Sequence, residues 1–194
     1  MRIFLAGASG VIGIRLIPLL VAEGHEVAGM TRSSGKTDML RELGAEPVVC
    51  DVYDADALSE AVTRFDTELV MHQLTDLPDT ADQITDYRDR NNRMRTEGTR
   101  NLIAAMRAAG ADRLLAQSIA WRPPAGGEAV DEHERLVLDA GGVVLEYGTF
   151  YGPGTYGGDR VPDHPRIHVE EAARRTVDLL GAASGVYVVA EAES

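Results

Sequence analysis

Residues 7–13 read "GASGVIG", between a short apolar run, "RIFLA" at 2–6, and a longer amphipathic one that begins "IRLIPLLVAEG". Three glycines three residues apart, at the junction of an expected strand and an expected helix, form the pattern of a phosphate-binding turn. A helix that starts there leaves its first N–H groups unpaired, and its dipole favours negative charge at that end. Gly7, Gly10 and Gly13 fit the three places where a Cβ would obstruct the tight turn, the approach of a pyrophosphate, or the packing of helix on strand. Ser9 adds a hydroxyl, and Val11 and Ile12 complete the turn expected to face a dinucleotide.

The second expected strand refines the reading. About 20 residues after such a turn, an Asp or Glu binds the ribose 2′-hydroxyl of NAD, whereas an arginine accommodates the 2′-phosphate of NADP. The chain reads "VAGMTRSSGK" at 27–36, with Thr31, Arg32, Ser33, Ser34 and Lys36 and no carboxylate. A guanidinium makes a forked contact with phosphate, so the expected cofactor is NADP(H) in preference to NAD(H).

Beyond this pair of elements, apolar blocks alternate with segments of helical period, the mark of βαβ units and a parallel sheet. Strands are expected at 2–6, 26–30, 46–50, 68–73, 113–117, 142–147 and 186–189, and helices at 11–23, 39–43, 55–65, 81–109, 129–138 and 169–180. The fold class is therefore α/β, a Rossmann-type doubly wound parallel sheet. The expected organisation is one domain over 1–194, with proline- and glycine-rich cap loops at 121–129 and 151–167. Both loops follow strands, where open α/β sheets build their ligand sites.

A formal charge of −12 and a pI near 4.8, without a dense basic cluster, argue against nucleic acid and anionic membrane as partners and leave a small-molecule substrate. The single Cys50 has no partner for an internal disulfide, and the chain passes from Met1 straight into a strand-like run, so a cytoplasmic location is expected. No metal site is expected: among His25, His72, His133, His164 and His168 only the last two approach ligand spacing, and Pro165 breaks the segment between them.

With these motifs in hand, the chain resembles the short-chain dehydrogenase/reductase superfamily, in its extended or atypical NAD(P)-dependent epimerase/dehydratase branch. The resemblance runs through "GASGVIG", "CDVYD" at 50–54, "VMHQL" at 70–74, "TEGTRNLIAAMRAAG" at 96–110, "LLAQSIAW" at 114–121, "LEYGTFYGPGT" at 145–155 and "RIHVEEAA" at 166–173. It implies that Asp51 and Val52 lie by the adenine and that Gln73 and Leu74 line the cofactor. It places Ser118 on the strand that carries the active-site hydroxyl and Tyr151 just beyond the strand near the nicotinamide. It also implies a homodimer paired through the long helix expected at 81–109.

The superfamily's redox chemistry uses Tyr-x-x-x-Lys, and Lys36 is the only lysine here, with arginine four residues before it. Laying the sequence on the family's helix puts Gly126 or Gly127 at the tyrosine position and Val130 or Asp131 at the lysine position; Arg95 stands where the family often has a structural asparagine. A tyrosine without a cationic neighbour titrates near pH 10 and is a weak acid or base at neutral pH. The groups left to handle a proton are Ser118, Tyr151, Tyr147 and His133, of which Ser118 and Tyr151 are the expected catalytic pair. His72 is expected in the core, while His133, Asp131, Glu132 and Glu134 are expected on a solvated helix face. The expected activity is hydride-based reduction, or hydride-dependent epimerisation or dehydration, of a small organic substrate. The alternatives are a non-redox isomerase, cyclase or lyase on the same scaffold, and a non-catalytic nucleotide-binding regulator.

Overall fold

A computed structural model describes residues 1–78, 80–123 and 127–192. Seven parallel strands form one sheet: β1 (Arg2–Ala6), β2 (Glu26–Thr31), β3 (Glu46–Val49), β4 (Leu69–His72), β5 (Arg113–Ile119), β6 (Val143–Tyr147) and β9 (Gly185–Val189), in the order β3-β2-β1-β4-β5-β6-β9. Every expected strand is present. The order 3-2-1-4-5-6 is that of the doubly wound dinucleotide fold, in which the chain reverses direction across the sheet between β1 and β4.

Alternation along the strands builds two cores. Ile3, Leu5, Met71, Leu115 and Leu145 face α1 (Gly13–Ala22) and α7 (Val169–Asp178), whose Leu16, Ile17, Leu20, Val169 and Ala173 are buried against them. Phe4, Ala6, Val70, Leu114, Ala116 and Val144 face the other way, onto α3 (Ala55–Arg64), α5 (Thr99–Ala108) and α6 (Gly127–Asp139), through Leu58, Val62, Leu102, Met106 and Val137. Strands covered on both faces read as continuous apolar blocks, which is why they are legible in the sequence.

Three expectations are corrected. The helix expected at 81–109 begins at Arg88: a 3₁₀ turn, Ala81–Gln83, precedes α4 (Arg88–Arg93), a π-turn (Met94–Gly98) and then α5. The loop expected at 151–167 is bounded by two short strands, β7 (Thr149–Tyr151) and β8 (Arg166–His168), which pair in parallel as a separate ribbon. The face of α6 expected in solvent buries His133 and Glu134 beside Val130 and Val137, because positions three and four apart share one helix face. The remaining short helix, α2 (Thr37–Glu42), lies between β2 and β3. Among the described residues no helix is long and apolar enough to cross a membrane.

Candidate active site

The crevice lies outside the carboxyl ends of β1 and β4, where the glycine loop meets the end of β4. Gly7 has φ +92°, and a Cβ on it would stand 2.5 Å from the Gln73 carbonyl oxygen. A Cβ on Gly13 would press on the Gly7 carbonyl oxygen and stand 2.6 Å from that of Ala8. These two glycines are required by the protein's own backbone. Gly10 differs: it is exposed, and a Cβ there would meet only the Gly7 carbonyl oxygen, at 3.3 Å.

Helix α1 opens without a cap. Ile12 makes no side-chain capping bond and no acid occupies the first turn, and the N–H groups of Val11, Ile12 and Gly13 donate to no group among the described residues. An exposed glycine beside three free N–H groups at a helix N-terminus is a cradle of the size and polarity of a diphosphate. The residues present thus fit a dinucleotide. The Ser9 and Thr31 hydroxyls, 3.0 Å apart, tie the loop to the end of β2. Arg15 clamps its outer side, donating to the Val11 carbonyl at 2.7 Å, to Glu170 of α7 at 2.7 Å and to the Pro153 carbonyl at 2.6 Å.

At the far end of the crevice Arg32 leaves β2 with its side chain 46% exposed, 3.5 Å from a buried Asp76 oxygen. Asp76 is held separately by Arg90, at 3.0 and 3.2 Å, and its own N–H donates to Asn91. Arg93 lies over the Tyr53 ring, 3.9 Å from its centroid. Asp51 is exposed and accepts from the Tyr53 N–H, whereas the Val52 side chain is buried in the core and its carbonyl accepts from Asn101. What Val52 offers a ligand is therefore backbone. Gln73 donates to the Tyr147 hydroxyl at 3.4 Å, which donates to Thr176, which donates to the Ala172 carbonyl; the Gln73 Oε1 is buried without a partner among the described residues. Burial pushes Tyr147 up to about 12, so it stays neutral.

A second polar circuit starts at Leu74. His133 Nε2 must donate to the Gln117 carbonyl, 2.8 Å away, which leaves Nδ1 to accept from Thr99 at 2.7 Å. Thr99 in turn accepts from His72 Nε2 at 3.1 Å, and His72 Nδ1 accepts from the Leu74 N–H at 3.2 Å. The Gln117 side chain closes the ring by donating to the Leu74 carbonyl. Backbone groups at both ends fix each tautomer. Burial lowers both histidines, His133 to about 4, so the circuit is neutral. His72 is the core residue expected; His133, expected in solvent, is its buried partner.

Ser118, 2% exposed at the end of β5, donates to Glu134 at 2.5 Å. The other Glu134 oxygen takes Arg122 at 2.6 Å, and Arg122 also reaches Asp131 at 3.0 Å and Glu146 at 3.4 Å. Burial raises the Glu134 carboxyl above its ordinary range, against the opposing pull of Ser118 and Arg122. Tyr151, at the end of β7, donates to Glu191 at 2.5 Å; that bond raises its pKa, and Arg166 holds the same carboxylate at 3.0 Å. Ser118 and Tyr151 are thus tied to different carboxylates, with no hydrogen bond between them. Glu134 is the residue that sequence reasoning missed, although its spacing from Val130 and Val137 carries the signal. Gly126, one of the two positions laid on the family's tyrosine, lies outside the described residues; Gly127 opens α6.

The doubly wound order, the uncapped α1 and the glycine cradle define a dinucleotide-binding protein. Residues 7–135 match the NAD(P)H-binding family, and the chain belongs to it. The 3-diazoavenalumate denitrifying reductase of a Streptomyces species is 41% identical over 180 aligned residues, covering 80% of this chain and 58% of that protein. The 3-beta-hydroxysteroid dehydrogenase of Mycolicibacterium neoaurum is 31% identical over 114 residues, covering 59% of this chain and 31% of that protein. The chain thus spans less than two thirds of the length of either relative. The UDP-glucose 4-epimerase of Thermus thermophilus, solved with NAD, superposes with a TM-score of 0.80 at 19% identity, over 100% of this chain and 78% of that one. This likeness shows that the two chains share a fold.

Proposed function

We propose that the chain binds NADP(H) in preference to NAD(H) and reduces a small organic substrate. A hydride-dependent epimerisation or dehydration would use the same groups. The observation that carries the reading is the exposed Gly10 beside three undonated N–H groups, with Arg32 half-exposed at the adenosine end. Gly7, Ser9, Gly10, Val11, Ile12 and Gly13 would hold the diphosphate. Thr31 and Arg32 would hold the ribose 2′-phosphate, Asp51 and Val52 would border the adenine, and Gln73 and Leu74 would border the nicotinamide side. The bound nicotinamide supplies or accepts a hydride.

The chain's own residues handle the proton. When Glu134 carries a proton, its carboxyl would donate to Ser118 and free the serine O–H to donate to a substrate oxygen. One proton leaves Glu134 and one reaches the substrate, balancing the hydride delivered to carbon. Arg122 covers this pair, and its side-chain exposure of 44% leaves it room to swing aside. Tyr151 is the second donor, neutral at physiological pH and oriented by Glu191. The Streptomyces relative, by name a reductase, supports the reading. The outer face of α5, with Arg100, Ala104 and Arg107 exposed, is where a homodimer would pair.

The test is NADPH oxidation against a panel of carbonyl and diazo compounds, with Ser118→Ala, Glu134→Gln and Tyr151→Phe measured in parallel. A rate loss of about 100-fold in the first two variants, with thermal stability kept, is expected of a proton path. No coenzyme oxidation with any compound, and no exchange of labelled hydride, would sink the redox reading.

A further inference from the structure

The basic run at 88–95 carries four arginines. Arg88 pairs with Asp89 and Arg93 with Glu97, acids close to each along the chain. Arg90 instead reaches out of α4 to Asp76, in the loop after β4. Its Nε lies 3.2 Å from one carboxylate oxygen and its Nη2 3.0 Å from the other. Its guanidinium carbon also lies 4.5 Å from the centroid of the Tyr87 ring. A fork and a ring face together fix the Arg90 head. The Asp76 N–H donates to Asn91 at 3.0 Å, so the loop and α4 are joined twice. Fixed as it is, the Arg90 side chain remains 53% exposed.

Arg32 meets the same carboxylate from the end of β2. Its Nη2 lies 3.5 Å from Oδ1, the oxygen that Arg90 Nη2 approaches to 3.0 Å, so the two nitrogens are within 6.5 Å of each other. One phosphate group spans that interval with a charge-assisted bond of about 2.8 Å to each nitrogen. The Asp76 carboxylate is buried, while both guanidinium heads reach solvent. Two positive charges thus share one negative charge, and cations this close repel. An anion arriving from solvent relieves that excess; a ribose hydroxyl does not.

We infer that Arg90 is a second ligand for the ribose 2′-phosphate of NADP(H), forming with Arg32 a clamp of two guanidinium groups drawn from separate elements. The inference rests on the proposed NADP(H) reading and adds to it a selectivity residue from α4. A phosphomonoester offers three charged oxygens and accepts from both arginines at once, whereas the 2′-hydroxyl of NAD(H) offers one uncharged oxygen. Arg90 keeps Nη1 outside its fork with Asp76, and Arg32 makes no hydrogen bond among the described residues. The clamp therefore closes on a phosphate with the Arg90–Asp76 fork intact.

The experiment measures NADPH and NADH dissociation constants by calorimetric titration for wild type, Arg32→Ala, Arg90→Ala, the double variant and Arg90→Lys, with the thermal midpoint taken first on each. A partly solvated charge-assisted contact is worth about tenfold in affinity. Wild type is therefore expected to prefer NADPH by about 100-fold, each alanine variant by about tenfold, and the double variant not at all, with NADH affinity within about twofold throughout. Arg90→Lys, which keeps the charge and loses the fork, should show a preference between those of wild type and Arg90→Ala. A wild-type preference that persists undiminished in either alanine variant, or that Arg32→Ala removes entirely, overturns the inference. A wild type that binds both coenzymes equally, or neither, overturns the NADP(H) reading and the inference with it, and is told apart by the wild-type titrations alone. Should Arg90→Ala fail to fold, Arg90→Gln, uncharged but still a donor towards Asp76, takes its place with the same expected outcome.

Discussion

The two halves of the sheet handle polar groups in opposite ways. Around β1, β2 and β4, the backbone builds the site and leaves donors free: three N–H groups at α1 and a half-exposed Arg32. Around β5, β6 and β9, side chains build it and leave almost nothing free: Ser118 is spent on Glu134, Tyr151 on Glu191 and His133 on Gln117 and Thr99. A cradle made of N–H groups is fixed by the fold and takes any diphosphate. A network of carboxylates and hydroxyls stores protons and changes with one side chain. On the proposed function, the first half would fix the class of cofactor and the second would set the chemistry.

The sharpest way to break this contrast is to crowd the backbone-built half. Alanine suits a helix better than glycine does by about 1 kcal/mol. At Gly13, however, its methyl would press on two carbonyl oxygens that cannot move without opening the turn. Gly13→Ala is therefore expected to lower stability by about 3 kcal/mol, with the loss visible in the urea midpoint before any coenzyme is added. A midpoint equal to wild type would mean that the loop is looser than its contacts imply.

The side-chain half breaks with acid. His133, held near 4 in the folded chain against an ordinary 6.5, contributes about 3 kcal/mol that is fully present above pH 6.5 and lost as pH falls towards 4. His72 acts in the same direction, while Glu134, raised by burial, acts in the opposite one above its ordinary 4.5. Wild type should lose thermal stability steeply across that window. His133→Gln, less stable at neutral pH, should lose markedly less; parallel curves for the two proteins would count against the buried circuit.

The same contrast explains what was legible in the sequence. Glycine spacing and apolar blocks are local signals, and they located β1 to β6 and β9 and the glycine turn between β1 and α1. "DEHER" reads as solvated because charge alone dominates a local view. Yet Val130, His133, Glu134 and Val137 share one helix face, so the apolar pair at its ends marks the polar pair between them as buried. Ser118–Glu134, Tyr151–Glu191 and Arg32–Asp76 join residues from separate elements, and no local period encodes such a pairing. Strands β7 and β8, three residues each within a proline- and glycine-rich stretch, owe their extended form to one another.

Gly10 separates folding from binding. Its added side chain would meet little of the protein but would occupy the cradle itself. Gly10→Val should leave the urea midpoint within about 1 kcal/mol of wild type and weaken NADPH about 30-fold, or about 2 kcal/mol. Calorimetric titration of the two proteins is the check, and equal affinities would mean that the diphosphate lies elsewhere.

Arg32 tests the smallest and most specific part of the cradle. Its guanidinium is shared between solvent and one Asp76 oxygen, and Arg90 already holds that carboxylate through both oxygens. Removing Arg32 therefore leaves Asp76 paired, and the fold should be unaffected. What disappears is the forked contact available to a 2′-phosphate, a partly solvated interaction worth about 1.4 kcal/mol, or tenfold in affinity. Arg32→Ala should weaken NADPH by that factor and leave NADH unchanged, and the NADPH affinity of wild type should fall more steeply with added salt than that of the variant. An unchanged NADPH-to-NADH ratio would assign Arg32 to the Asp76 pair alone and remove the chemical basis for NADP selectivity.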